Sequence, residues 1–198
     1  QELMAWSSQL RTSQKYLSAV TDQLLALPQG GTAVGTGINA PPRFSREFAK
    51  EVSKIEKIKA RPSENFFHSL SSQDTSLRLS GEMRNLATVL MKISNDLRWM
   101  NSGPLSGLGE IELQALQPGS SIMPGKVNPV IPEAVTMVCA EVIGNDTTVA
   151  IAAQSGNFQL NVMLPVIAYN LLKSLNILSN AMSVLGYKAI KTFKVNKT

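Results

Sequence analysis

Apolar side chains recur along much of the chain at alternating steps of three and four residues, with polar residues between them. The clearest run starts at Leu79 and continues unbroken to Met100. This spacing places the apolar side chains on one narrow stripe of a helix, as in a coiled coil. We therefore predict a long helix that ends at Asn101-Ser102-Gly103-Pro104. The stripe consists of Leu79, Met83, Leu86, Leu90, Ile93, Leu97 and Met100.

The same spacing occupies residues 1–27 and is broken only at Ser13. It predicts a second long helix, which the run Pro28-Gln29-Gly30-Gly31 would end. Between residues 42 and 59, apolar positions stand among many charged ones, a pattern typical of an exposed amphipathic helix. Residues 63–72 are predicted to form a loop and a short helix.

Two further helices are predicted at 130–153 and 159–185, and they carry very little charge. Between Asp146 and Lys188 the only charged residue is Lys173. A helix that is apolar on most faces must be buried on most faces. One chain of about five helices offers too little surface to cover both, so we infer a helix bundle that several subunits share.

A membrane span is the alternative reading of such apolar helices. The longest unbroken apolar run, Val162 to Tyr169, contains Pro165 and is far shorter than the ~20 residues that a membrane helix requires. We therefore expect no membrane association, and we expect Pro165 to bend its helix. The predicted fold class is all-α, a bundle of long helices covering residues 1–186. Residues 187–198 are predicted to be the start of a further C-terminal domain or a frayed tail.

Composition narrows the possible functions. With 43% hydrophobic and 17% charged residues among 198, the chain is typical of a folded protein. One cysteine excludes a disulfide framework, and one histidine excludes a Cys/His zinc cluster. The net charge of +5 is spread along the chain. We expect weak attraction of anions at most and no nucleic-acid partner.

The residues that offer chemistry are concentrated between Gly119 and Pro129, in the run GSSIMPGKVNP. Its glycines and prolines disfavour a regular helix or a central strand, so a shaped loop is predicted. A phosphate-binding loop is excluded because the glycine spacing is wrong and Val127 stands where a magnesium-binding hydroxyl is required. A serine hydrolase is disfavoured because His68 is the only histidine and no recognisable motif supplies its aspartate.

The loop suits the removal of a proton next to a carboxylate. That step places a second negative charge on the substrate, so hydrogen-bond donors must already be in position. Lys126 offers a positive charge, Asn128 an amide, and Ser121 a hydroxyl. A serine can act as the base if loop amides and a lysine stabilise its alkoxide. Read as structure alone, the same serines would only cap the helix that follows.

The loop resembles the signature of the fumarase/aspartase superfamily, which reads Gly-Ser-Ser, two residues, then Pro-x-Lys-x-Asn. Three flanking stretches are similar to the class II fumarate hydratases within it, and the resemblance covers nearly all of the chain. They are Gly31 to Gly37, Ser102 to Pro104 with Gly107 to Glu110, and Ser155 to Phe158.

The resemblance implies reversible hydration of fumarate to malate, without a cofactor, in a homotetramer of the cytoplasm or the mitochondrial matrix. It makes Ser120 the base and Glu133 the acid that orients a histidine of a neighbouring subunit. It assigns substrate binding to Ser121, Lys126, Val127 and Asn128.

The chain also departs from the family pattern. Leu105 replaces the arginine that usually follows Ser-Gly-Pro, and Asn65-Phe66-Phe67 with Gln73-Asp74 replace the usual Asn-Lys-Phe and His-Asp. The resemblance covers only the central part of such an enzyme, so the isolated chain is expected to be inactive. Two alternatives stay open. Val130-Ile131-Pro132-Glu133 also resembles aspartate ammonia-lyase, and the chain could serve solely as an oligomerisation module.

Overall fold

Helices account for most of the secondary structure in the computed structural model, which describes residues 1–103, 105–117, 119–123 and 126–196. The α-helices are α1 (Glu2–Gln23), α2 (Phe44–Glu56), α3 (Phe66–Ser71), α4 (Asp74–Met100), α5 (Val130–Ala153) and α6 (Leu164–Leu185). The predicted all-α fold of long helices is therefore confirmed.

Within the described part of the chain, four two-residue strands connect segments that are distant in sequence. They are β1 (Ala26–Leu27), β2 (Arg61–Pro62), β3 (Ile111–Glu112) and β4 (Lys194–Val195). β1 and β2 are parallel, with Ala26 opposite Arg61, and β3 and β4 are antiparallel, with Ile111 opposite Val195. Because β4 lies within residues 187–198, the second pair joins the β3 segment to the predicted tail. Lys197, part of that predicted tail, lies outside the described residues.

The chain divides into two compact units. The first comprises Gln1–Leu10, Arg84–Gly144 and Lys173–Thr198, and the second comprises Arg11–Met83 and Asn145–Leu172. Every residue of the signature loop that the structure describes belongs to the first unit. In the second unit, Val149, Ala152 and Ile167 form a buried cluster.

The stripe predicted on α4 is buried as expected. Six of its seven members, from Leu79 to Leu97, expose between 8% and 0% of their surface, and Met100 at the end of the helix is half-buried. The spacing thus gives α4 one apolar face, and its other faces remain available for polar contacts. α4 is the longest helix described, and its last turn leads directly into the loops of the first unit.

α1 is shorter than predicted, because it ends at Gln23, where Leu24 and Leu25 form a turn that leads into β1. The backbone of β1 pairs with β2, so that Arg61 N–H donates to the Leu25 carbonyl (2.8 Å). The break in the stripe at Ser13 does not interrupt the buried face, since Ser13 is only 2% exposed.

α5 has the bounds predicted for it, whereas α6 starts at Leu164, five residues later than the predicted 159. Residues 157–160 form a tight turn instead, with hydrogen bonds in both directions between Asn157 and Leu160 (2.7 and 3.0 Å). Pro165 therefore lies in the first turn of α6, where proline costs the helix no hydrogen bond. The bend was expected from a proline in the helix interior, and that premise does not hold, because Pro165 is the second residue of α6.

α5 is long and apolar enough to cross a membrane by length and composition, and it is the one such helix among the described residues. Only a third of its most apolar window is buried. Core helices of soluble proteins meet the same criterion, so length and composition do not establish a span.

Candidate functional site

Backbone and side-chain hydrogen bonds close the signature loop at its base. The Gly119 N–H donates to the Lys126 carbonyl oxygen (2.9 Å), and the Asn128 side-chain amide donates to the Gly119 carbonyl oxygen (2.8 Å). Val130 N–H donates to the Asn128 carbonyl oxygen (2.9 Å) where α5 begins. The loop is thus a shaped turn, as predicted. Pro124 and Gly125 lie outside the described residues.

Glycine is required at position 119 by close approach of the backbone. A Cβ atom added there would lie 2.0 Å from the Lys126 carbonyl oxygen. No side chain could relieve that contact by rotating, because the opposing atom belongs to the main chain. This close approach explains why the first residue of the signature is a glycine in this chain.

The Ser120 hydroxyl oxygen accepts two backbone hydrogen bonds. The donors are the N–H groups of Ile122 and Met123, both at 3.1 Å. Hydrogen bonds to an oxygen favour its anionic form, so both contacts would stabilise an alkoxide here. They are also the contacts of an ordinary serine turn. Ser120 is half-buried and lines a cleft of about 450 Å³ together with Lys126 and Val127.

A second cavity, of about 420 Å³, lies beside the loop in the same unit. We call it the polar cavity. The loop and the start of α5 contribute Lys126, Asn128 and Glu133 to its lining, and the end of α4 contributes Arg98 and Trp99. Glu133 stands in the first turn of α5, where the helix dipole favours a carboxylate. Among the described residues, the ion pairs include neither Lys126 nor Glu133.

The structure brings most of the residues selected from the sequence together. Lys126 and Val127 line both the Ser120 cleft and the polar cavity, while Asn128 and Glu133 line the polar cavity alone. Ser121 is exposed and belongs to the lining of neither.

Sequence reasoning missed the contribution of α4 to the polar cavity. Asn95, Arg98 and Trp99 stand at steps of three and four along one helix face, outside the apolar stripe. The feature of the sequence that could have indicated this contribution is the neighbouring pair Arg98 and Trp99 at the end of α4.

His68 has an aspartate partner after all. Its Nε2 atom lies 2.9 Å from the Asp74 carboxylate, and both side chains are more than half exposed. No serine hydroxyl is among the groups that contact this histidine in the described structure. The pair is a surface contact next to the start of α4.

Cys139 is fully buried on α5. Burial raises the pKa of its thiol from 9.0 to about 11. A protonated thiol is a poor nucleophile and a poor metal ligand, as expected for an inert core residue. Within the described ranges, no group of three His, Cys, Asp or Glu side chains is placed to hold a metal ion.

The sequence of this chain is similar to known lyases throughout. A family described as Lyase matches residues 1–144. Fumarate hydratase class II 2 of Pseudomonas aeruginosa is 58% identical over 197 residues, which are 100% of this chain and 43% of that protein. Fumarate hydratase class II of Xylella fastidiosa is 56% identical over 197 residues, 100% of this chain and 42% of that protein.

A solved structure shares the fold. The recombinant class II fumarase of Schistosoma mansoni superposes with a TM-score of 0.97 at 36% identity, over 99% of this chain and 44% of that one. The resemblance predicted from the sequence is confirmed. The chain spans less than half the length of these relatives.

Proposed function

Because the chain belongs to the Lyase family, we propose that it supplies the proton-abstracting loop of an enzyme that reversibly hydrates fumarate to (S)-malate. One observation carries the proposal. Lys126 lines both the cleft that holds Ser120 and the polar cavity that holds Asn128 and Glu133. A base, a cation and an amide donor are therefore neighbours along one short loop. The relatives named as class II fumarate hydratases make fumarate and malate the proposed substrates.

In the dehydration direction, Ser120 would act as the base. Its alkoxide takes a proton from the malate carbon next to a carboxylate, and the electron pair left behind moves into that carboxylate to give an aci-carboxylate. The N–H groups of Ile122 and Met123, which already point at the Ser120 oxygen, stabilise the alkoxide beforehand. The electron pair then returns from the aci-carboxylate to form the carbon–carbon double bond as the neighbouring C–O bond breaks. The hydroxyl group takes a proton from an acid that the complete enzyme would supply and leaves as water, and Ser120 gives its proton to solvent.

Lys126 and Asn128 would hold the doubly charged carboxylate. The Asn128 amide has two N–H bonds, and one of them is occupied by the Gly119 carbonyl oxygen. This contact fixes the direction of the amide, and the second N–H can bind substrate. Such preorganised donors stabilise developing charge without rearranging. We further propose that Ser121 and Val127 contact substrate and that Glu133 orients a histidine of a neighbouring subunit.

We also propose that the working assembly is a homotetramer. Large apolar side chains remain exposed on α5 and α6, among them Met137 (70%), Tyr169 (63%) and Leu172 (65%). Exposed apolar surface of this kind favours association of subunits. The proposed location is the cytoplasm, with the mitochondrial matrix as an alternative, and the proposed reaction requires no cofactor. The limits predicted for the helical domain, 1–186, and for the tail, 187–198, remain predictions.

The direct test is an assay of the complete enzyme that contains this chain. Formation of fumarate from malate is followed by its ultraviolet absorbance, and formation of ammonia from aspartate is measured in parallel. Fumarate formation from malate alone supports the proposal. Release of ammonia from aspartate would establish the aspartase alternative, which is open because Val130 to Glu133 also resembles aspartate ammonia-lyase.

The third possibility, an oligomerisation module without activity, is tested on the isolated chain. We expect the 198 residues to self-associate and to show no hydration of fumarate. Hydratase activity in a pure preparation of this chain would contradict that expectation.

A further inference from the structure

Part of the lining of the polar cavity is held in place by two residues that follow it in the chain. Residues 101–103, which come directly after α4, belong to that lining, and we call them the cavity wall. The Gly109 N–H donates to the Ser102 carbonyl oxygen at 2.7 Å, and the Glu110 N–H donates to the Met100 carbonyl oxygen at 2.8 Å. The position of the cavity wall therefore depends on Gly109 and Glu110.

The tail of the chain holds the same two residues through Asn196, which directly follows β4. The Asn196 side-chain amide donates to the Gly109 carbonyl oxygen at 2.6 Å, and the Asn196 N–H donates to the Glu110 carbonyl oxygen at 3.0 Å. Gly109 and Glu110 thus donate to the segment at the end of α4 and accept from the tail. A continuous series of hydrogen bonds connects Asn196 with the cavity wall.

The side chain of Asn196 makes a contact that the strand pairing cannot supply. Gly109 has a φ of +59°, which lies outside the β region, so the ladder of β3 and β4 cannot continue through it. The carbonyl oxygen of Gly109 then needs a donor other than a strand N–H. An asparagine amide is such a donor, whereas an aspartate of the same size has no N–H at neutral pH.

We propose that Asn196 is a positioning residue for the reaction at the signature loop, acting through Gly109 on the cavity wall. The wall shares the polar cavity with Lys126 and Asn128. Small displacements of groups around a reacting centre lower its rate strongly, so a loosened wall should slow the reaction while the fold persists. This inference rests on the proposed function, because that reaction takes place beside the wall.

The test uses the complete enzyme that contains this chain, with Asn196→Asp and Asn196→Gln. The first variant removes the amide donor at almost constant size, and the second keeps an amide. Asn180→Asp is the matched control, because Asn180 is an exposed asparagine of α6 whose amide donates to the Asn176 side-chain oxygen (3.4 Å). It makes the same chemical change away from the cavity lining.

Two quantities are measured on each variant. Hydrogen exchange, followed by mass spectrometry on peptides that contain Gly109 and Glu110, reports whether these residues are held. Malate dehydration gives kcat and KM, while the melting temperature and sedimentation verify that the variant is folded and assembled.

Asn196→Asp should exchange the Gly109 and Glu110 amides about fivefold faster, the equivalent of one ordinary hydrogen bond. Its kcat should fall by about the same factor, with little change in KM because Asn196 does not touch the substrate. Melting temperature and assembly should stay those of the wild type. Asn196→Gln should recover part of both losses, and Asn180→Asp should behave as the wild type.

Two results would overturn the proposal. Unchanged exchange in Asn196→Asp would show that this side chain does not hold Gly109 and Glu110. Faster exchange with wild-type turnover would show that the cavity wall has no bearing on the reaction. The exchange measurement needs no chemistry, so a wild-type enzyme that does not dehydrate malate would reject the proposed function while leaving Asn196 as the residue that holds the wall.

Discussion

The backbone of Gly119 lies directly against that of Lys126. The Gly119 N–H donates to the Lys126 carbonyl oxygen at 2.9 Å, and a Cβ atom at position 119 would be 2.0 Å from the same oxygen. The serine-bearing end of the loop and its lysine are therefore held together by main-chain contact. This contact places Ser120 and Lys126 in one cleft.

Gly119→Ala should separate those two residues. The added methyl group must push the Lys126 backbone away, and small displacements of catalytic groups can lower rates by about a hundredfold. We expect the hydration rate of the complete enzyme to fall by about that factor, with little change in melting temperature.

Gly144→Ala is the control for Gly119→Ala. Gly144 lies within α5, and nothing stands within 4 Å of a Cβ added there. This variant should keep full activity and gain about 0.5–1 kcal/mol of stability, because alanine favours helix. Equal activities of the two variants would show that the close approach at Gly119 has no bearing on the reaction.

Asn161→Ala should destabilise the second unit. Asn161 is 2% exposed. Its amide donates to the Ala152 carbonyl oxygen (3.1 Å), and its side-chain oxygen accepts from the Met163 N–H (2.8 Å). Removing it leaves buried groups without partners, at a cost of about 1–3 kcal/mol. Urea unfolding measures the loss.

Asn176→Ala is the control, because Asn176 lies on the exposed face of α6. It should change the free energy of unfolding by less than about 0.5 kcal/mol. A loss comparable to that of Asn161→Ala would contradict this account.

Cys139 should make the free energy of unfolding depend on pH in alkaline solution. The pKa of its thiol is about 11 in the folded protein against an ordinary 9.0, so the unfolded chain loses the proton first. The folded state binds more protons between those values, and the free energy of unfolding should fall as the pH rises from about 9 to about 11. Below pH 9 the thiol is protonated in both states, so its full contribution to the free energy of unfolding is present there.

Cys139→Ala removes that contribution while other groups titrate as before. The difference in unfolding free energy between wild type and variant should therefore be constant below pH 9 and shrink above it. A difference that stays constant up to pH 11 would show that the buried thiol has no such effect.

Apolar spacing predicted α1 and α4 because a helix that buries one face keeps its apolar side chains on that face. α5 and α6 were predicted instead from their low charge and their apolar residues on most faces. It failed where hydrogen bonds at helix ends compete with apolar spacing. Leu24 and Leu27 continue the stripe of α1, yet the backbone beyond Gln23 pairs with β2. Asn157 to Leu160 likewise closes a turn that apolar content does not reveal.

The candidate site was predictable to the extent that it is local in sequence. Ser120, Lys126 and Asn128 stand within one loop, and the loop folds on itself through contacts that its glycines and asparagine permit. Arg98 comes from a helix distant in sequence, and only tertiary packing brings it to the same cavity. Two of the departures from the family pattern, Phe66 and Gln73, are absent from the residues that line the polar cavity.

The central claim is that Ser120, as its alkoxide, removes the proton, and Ser120→Ala in the complete enzyme tests it most directly. Loss of a general base lowers turnover by about 10²–10⁴-fold. We predict a loss in that range with unchanged assembly, measured as malate dehydration, while Ser8→Ala, an exposed serine on α1, leaves turnover unaffected. Turnover of Ser120→Ala within a few-fold of wild type would contradict the account.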